Sequence, residues 1–142
     1  MKLAEHSVTL HGSLETAWEK LVDWQRMPDW DLFMKSLHFD GPLQVGSVGK
    51  LVVTSGQQYE LKITSFDPPK SYSDEFSTLG LRLIFHHFLT PLGEGQIEMR
   101  FVIEGAGITA FLFQIPIAND LKSKLPDLMA RFKQQFETPT PV

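Results

Sequence analysis

No cysteine occurs among the 142 residues. Its absence excludes a disulfide framework, thiolate metal sites and a cysteine nucleophile, and is compatible with a reducing compartment. Basic clusters are missing as well. Thirteen Lys and Arg stand against 17 Asp and Glu, a formal charge of −4, with no concentration of positive charge to track a phosphate backbone. Nucleic acid is therefore not an expected partner. No stretch approaches the roughly 20 apolar residues of a membrane helix, and Met1-Lys2-Leu3-Ala4-Glu5-His6 lacks the apolar core of a signal peptide. The expectation is a soluble, cytoplasmic protein without an integral membrane segment. G-x-S-x-G is absent, so a serine hydrolase built on that turn has no support.

What the chain does have is aromatic volume, with 11 Phe and 3 Trp. The longest helical hydrophobic pattern lies near the end, from Gly107 to Glu137. Phe111, Leu112, Ile115, Leu121, Leu125, Leu128, Met129, Phe132 and Phe136 recur there at three- and four-residue steps, which places them on one helix face. At roughly 1.5–3 kcal/mol for each buried side chain, such a stripe needs a large apolar partner. Pro116 and Pro126 each lack an N–H and crowd the preceding turn, which predicts kinks or a break.

The partner is written upstream. Leu3 to His11 alternates as a first strand, and Ser13 is placed to cap a short helix with Ala17, Trp18, Leu21 and Val22 inward. A second short helix is expected near Pro28, a good first-turn residue. Between Lys35 and Glu104, frequent turn signals divide strands at 35–40, 46–54, 57–66, 70–78, 81–90 and 96–105. Ile97, Met99, Phe101 and Ile103 alternate with Glu98, Arg100 and Glu104, the pattern of a sheet with one dry and one wet face. Residues 1–137 read as one domain, and 138–142 as an extended tail.

This order resembles the START-like or SRPBCC superfamily, the helix-grip fold shared with birch-pollen-allergen-like and polyketide cyclase/dehydrase-like proteins. The matching residues are Ser13-Leu14-Glu15-Thr16-Ala17-Trp18, the corner Met27-Pro28-Asp29-Trp30, Phe66-Asp67-Pro68-Pro69-Lys70, and the ending Phe132-Lys133-Gln134-Gln135-Phe136-Glu137. The resemblance implies an α+β fold: a curved seven-stranded antiparallel sheet wrapped around a long C-terminal helix, with two short helices after strand one. It also implies an apolar ligand cavity between sheet and helix. These motifs are mostly structural, so they speak for architecture and leave the ligand open.

Registry supplies candidate polar groups. If Leu79-Gly80 forms a two-residue loop, Thr78 faces Leu81, Phe76 faces Leu83, Asp74 faces Phe85 and Tyr72 faces His87 on one side of the sheet. Asp74 and His87 are then diagonal neighbours, candidates for a catalytic or ligand-orienting carboxylate–imidazole pair, or else a structural hydrogen bond. Tyr59 and Tyr72 are placed to offer hydroxyls to a cavity or to sit at the edge of the core. Trp30 and Phe33 belong to the corner expected at the cavity mouth. Phe76, Phe85, Met99 and Phe101 on the strands, and Phe111, Phe113 and Ile115 on the helix, serve equally as cavity wall or as core. Adjacent His86 and His87 point to opposite sheet faces, which excludes a shared metal. Gly105-Ala106-Gly107-Ile108-Thr109-Ala110 fits G-x-G-x-x-A, yet no further strand follows the helix as a dinucleotide site requires, and the glycines are read as a sharp turn. No cofactor is expected. The functional reading is binding of a small hydrophobic molecule such as a lipid, isoprenoid or polyketide. Two alternatives stand beside it: a cyclase/dehydratase-type enzyme, and a protein-interaction module.

Overall fold

The alternation that marks Leu3–His11 as a strand produces β1 (Lys2–His11), and the Ser13 cap then starts α1 (Leu14–Leu21). Ser13 Oγ accepts the Thr16 N–H at 3.2 Å, and Ala17, Trp18 and Leu21 are buried as the helical spacing demands. Pro28 opens a single 3-10 turn, Met27–Asp29. Six further strands follow: β2 (Met34–His38), β3 (Val48–Val53), β4 (Gln58–Asp67), β5 (Ser71–Thr78), β6 (Leu81–Gly93) and β7 (Gln96–Ala106). The chain ends in α2 (Ala110–Glu137). The computed structural model describes residues 1–78, 80–107 and 110–138, with backbone alone for 110–117. Of the expected tail, 139–142 lie outside the described residues, while Thr138 closes the last turn by donating its N–H to the Gln134 carbonyl at 3.0 Å.

The strands form one antiparallel sheet in the order β1-β7-β6-β5-β4-β3-β2. Consecutive strands β1 and β2 thus lie at opposite edges, and α1 with the 3-10 turn makes the crossing. The sheet curls into a half-barrel that grips α2. The stripe of α2 is buried as its spacing requires, with Leu121, Leu125, Leu128, Met129 and Phe132 all at 5% exposure or less.

The helix packs chiefly along β1. Its last turn is tied there by Glu137, whose carboxylate accepts from the His11 backbone N–H at 2.8 Å and from Lys133 Nζ at 3.1 Å. The break expected at the prolines does not occur, since α2 runs unbroken through Pro116 and Pro126. An interior proline costs a helix about 3 kcal/mol. Around Pro126 that cost is offset by the buried side chains on both sides, Leu121 and Leu125 before it and Leu128 and Met129 after it.

The sheet-to-helix turn explains the glycine motif. Gly107 has φ +108°, and a Cβ there would run into the carbonyl oxygen of Gly80. The motif is a backbone crossing, and the described strands are all antiparallel, unlike those of a dinucleotide fold.

Candidate ligand cavity

Strand alternation decides what faces the hollow of the sheet. The β5–β6 register pairs Tyr72 with His87, Asp74 with Phe85, Phe76 with Leu83 and Thr78 with Leu81, as a two-residue loop predicts. Tyr72, Asp74, Phe76, Leu83, Phe85 and His87 therefore share the concave face. They line a cavity of about 450 Å³ that extends over Leu51 and Leu61 of β3 and β4. Leu121 of α2 closes one side. The mouth lies between the turn after β3, at Thr54, Ser55 and Gln57, and the pair Phe33 and Lys124. Lys124 sits 5.6 Å above the Phe33 ring and 3.3 Å from Asp120.

Aromatic side chains give the walls their shape. Phe76 and Phe85 stack with centroids 5.8 Å apart, and Tyr59 leans on Phe76 at 4.7 Å. The Tyr59 hydroxyl donates to Gln57 Oε1 at 2.6 Å, which turns it toward the rim.

Deeper in, polar groups converge. His87 is 9% exposed, and its ring packs edge-on against Phe101 at 4.8 Å. Its Nδ1 lies 3.2 Å from the Tyr72 carbonyl oxygen. A carbonyl only accepts, so Nδ1 carries the proton and Nε2 is left as an acceptor. Burial pulls the His87 pKa down to about 4, against the opposing pull of that carbonyl, so the ring is neutral at pH 7.

Asp74 is 7% exposed. Among the described residues no hydrogen bond or ion pair reaches its carboxyl, and no buried side-chain oxygen or nitrogen is sealed off without a partner. Asp74 is one of the residues that line the cavity. Burial pushes its pKa well above the ordinary carboxylate value, and the charge of Asp31 pushes it further. Asp31 itself is raised to about 6 by burial, although its Oδ1 accepts the Phe33 N–H at 2.9 Å. The Tyr72 hydroxyl is also held well above its usual value, by burial first and then by Asp74 and Asp31.

No family model matches this chain, and no curated protein does either. Solved structures do match it over nearly its full length. Protein MLL2253 from Mesorhizobium loti is 16% identical, with 97% of this chain and 100% of that one covered, at a TM-score of 0.76. The di-domain ARO/CYC BexL from the BE-7585A biosynthetic pathway is 11% identical over 94% of this chain and 46% of its own, at 0.75. Norcoclaurine synthase from Thalictrum flavum, in truncated form, is 14% identical over 96% and 94%, at 0.71. The fold is the helix-grip fold, a curled antiparallel sheet closed on a C-terminal helix.

Within that helix-grip frame, Phe33, Tyr59, Phe76 and Phe85 stand on the cavity wall, and Tyr72, Asp74 and His87 at its polar end. Three other expected contacts do not line it. Trp30 is 2% exposed and wedged between Phe132 of α2, at 5.0 Å, and Phe101 of β7, at 6.2 Å. Met99 and Phe101 lie on the same concave face as the cavity, but over β7 the C-terminal half of α2 and Trp30 fill the hollow. Phe101 instead backs the His87 ring. The side chains of Phe111, Phe113 and Ile115 lie outside the described residues. Asp74 and His87, the candidate carboxylate–imidazole pair, both line the cavity, but no hydrogen bond or ion pair joins them among the described contacts, and burial shifts each toward its neutral form.

Asp31 is the residue that sequence reasoning passed over. It follows Trp30 in a corner with no regular period. A signal did exist, in the form of a carboxylate set among Trp30, Leu32, Phe33 and Met34 and held by a local Asx-type hydrogen bond two residues on. His86 turns to the outer face, where Nδ1 meets Ser73 Oγ at 2.7 Å and Nε2 lies 3.6 Å from Glu104.

Proposed function

We propose that the protein binds a small, mostly apolar molecule in the cavity between β3–β6 and α2. One observation carries this reading: a space of about 450 Å³ with aromatic and aliphatic walls, and with Asp31, Asp74 and His87 among the polar groups on its lining. That volume falls in the range of small-molecule sites, and the composition is theirs too, with apolar area for affinity and a few fixed polar groups for orientation. The likeness in fold to an ARO/CYC protein and to a synthase agrees with a small-molecule partner. Native mass spectrometry of protein purified from its own host is expected to find a bound small molecule, and an anilinonaphthalene sulfonate dye is expected to bind one to one. A folded protein that carries no such molecule and takes up no dye would count against the reading.

A second reading is acid–base catalysis on the bound molecule. It rests on the opposed shifts of groups in one cavity: burial and Asp31 push Asp74 toward its protonated form, while burial pushes His87 toward its neutral form with its Nδ1–H committed to the Tyr72 carbonyl. Such groups supply about 10²–10⁴-fold in favourable geometry. Once a co-purified molecule is identified, Asp74→Asn and His87→Ala test this directly. Unchanged turnover of that molecule in both variants removes the catalytic reading and leaves binding intact.

A further inference from the structure

The polar end of the cavity is rich in acceptors and poor in donors. Asp31, Asp74 and His87 all line it, the His87 Nδ1–H is committed to the Tyr72 carbonyl, and the Tyr59 hydroxyl is already given to Gln57. Tyr72 supplies one O–H. Among the described lining residues the single Lys or Arg is Lys124, which stands at the rim, 3.3 Å from Asp120 and over the Phe33 ring. Nothing described inside the cavity answers the two carboxylates. Asp74 is the sharper case: more than nine-tenths buried, on the cavity lining, and without a described partner.

We infer that the molecule bound in this cavity carries a protonated amine, which faces Asp31 and Asp74 while its apolar body lies along Phe76 and Phe85. This rests on the ligand-binding reading above and names the chemical class. An ammonium brings up to three donors to a site of acceptors. Aromatic faces at Tyr59, Phe76 and Phe85 add attraction for a cation in a dry space. A carboxylate ligand would add negative charge beside Asp31 and Asp74, and a neutral alcohol would bring no charge to offset theirs. A divalent metal fits poorly, because no group of three or more His, Asp or Glu among the described residues is arranged to hold one. Burial and the nearby Asp31 both favour the protonated form of Asp74. An ammonium beside it opposes that shift, so its binding favours loss of a proton from Asp74.

Three probes of one shape separate the possibilities: tryptamine, indole-3-ethanol and indole-3-propionate, titrated by calorimetry into the full chain at pH 7.5. Tryptamine is expected to bind at least about tenfold tighter than the alcohol, and the propionate weakest, as charge-assisted pairing in a buried site requires. Repeated in two buffers of different ionisation enthalpy, tryptamine binding should release up to about one proton and alcohol binding none. In Asp74→Asn the advantage of the amine over the alcohol and the proton release should both fall. If the alcohol or the propionate equals or exceeds the amine, or if the dye binds and tryptamine does not, the inference fails and the cavity remains a ligand site. If neither dye nor probes bind the folded protein, both readings fail together. Should Asp74→Asn not fold, the order of the three probes on the unmodified protein decides alone.

Discussion

The His87 ring lies flat on Tyr72, with centroids 4.1 Å apart and planes 11° from parallel, while its Nδ1–H donates to the carbonyl of the same tyrosine at 3.2 Å. The stack and the hydrogen bond hold one tautomer in a dry place. His87 is therefore expected to titrate near 4, not near the ordinary 6.5. Between those values the folded chain binds fewer protons than the unfolded one at this group, so His87 costs stability as the pH falls through that window. Long-range proton–nitrogen NMR spectra at pH 5–7 should show a neutral ring protonated at Nδ1. A midpoint near 6.5 would contradict the burial argument.

Asp31 has the opposite sign. Its folded pKa, about 6, lies above the unfolded value of 3.8, so its contribution is intact below about pH 4 and is lost as the pH rises through 6. Asp31→Asn keeps an acceptor for the Phe33 N–H but cannot ionise. The variant should match the unmodified protein near pH 4 and exceed it by about 1–3 kcal/mol above pH 7. Urea denaturation at both pH values checks this. A constant difference across the range would mean that Asp31 is not held in a desolvated place.

Two phenylalanines, one in the core and one on the cavity lining, should behave differently. Phe132 has no exposed surface and packs edge-on against Trp30, so Phe132→Ala is expected to cost about 3–5 kcal/mol. Phe76 borders space that is already open. Phe76→Ala should cost less and should alter dye affinity, whereas Phe132→Ala should leave dye affinity per folded molecule unchanged. Equal stability losses would place Phe76 in a sealed core.

Gly107 allows a backbone test. With φ +108° and the Gly80 carbonyl in the path of a Cβ, Gly107→Ala is expected to destabilise by more than about 1 kcal/mol. Gly56 also has positive φ, at +95°, but a Cβ there meets nothing within 4 Å, so Gly56→Ala is the matched control. The excess loss at Gly107, read from chemical denaturation, reports the close approach of the two chain segments. No excess would mean that the crossing is loose.

Local sequence determined the elements and the register of the β5–β6 pair. Side chains alternate across a strand, and a loop of fixed length leaves one way to pair its flanks, so Leu79-Gly80 was enough to set Tyr72 opposite His87 and Asp74 opposite Phe85. The Ser13 cap, the Pro28 turn and the α2 stripe were legible for the same reason: each depends on neighbours a few residues away. Tertiary structure alone decided where the hollow is filled and where it stays open. Met99 and Phe101 carry the same strand pattern as Phe76 and Phe85, yet Trp30 and the end of α2 cover the first pair and leave the second facing space. The approach of Asp31 to Asp74 is of that kind too. It joins a corner near the start of the chain to a mid-sheet strand, and side chains brought together across such a separation leave no periodicity in the sequence.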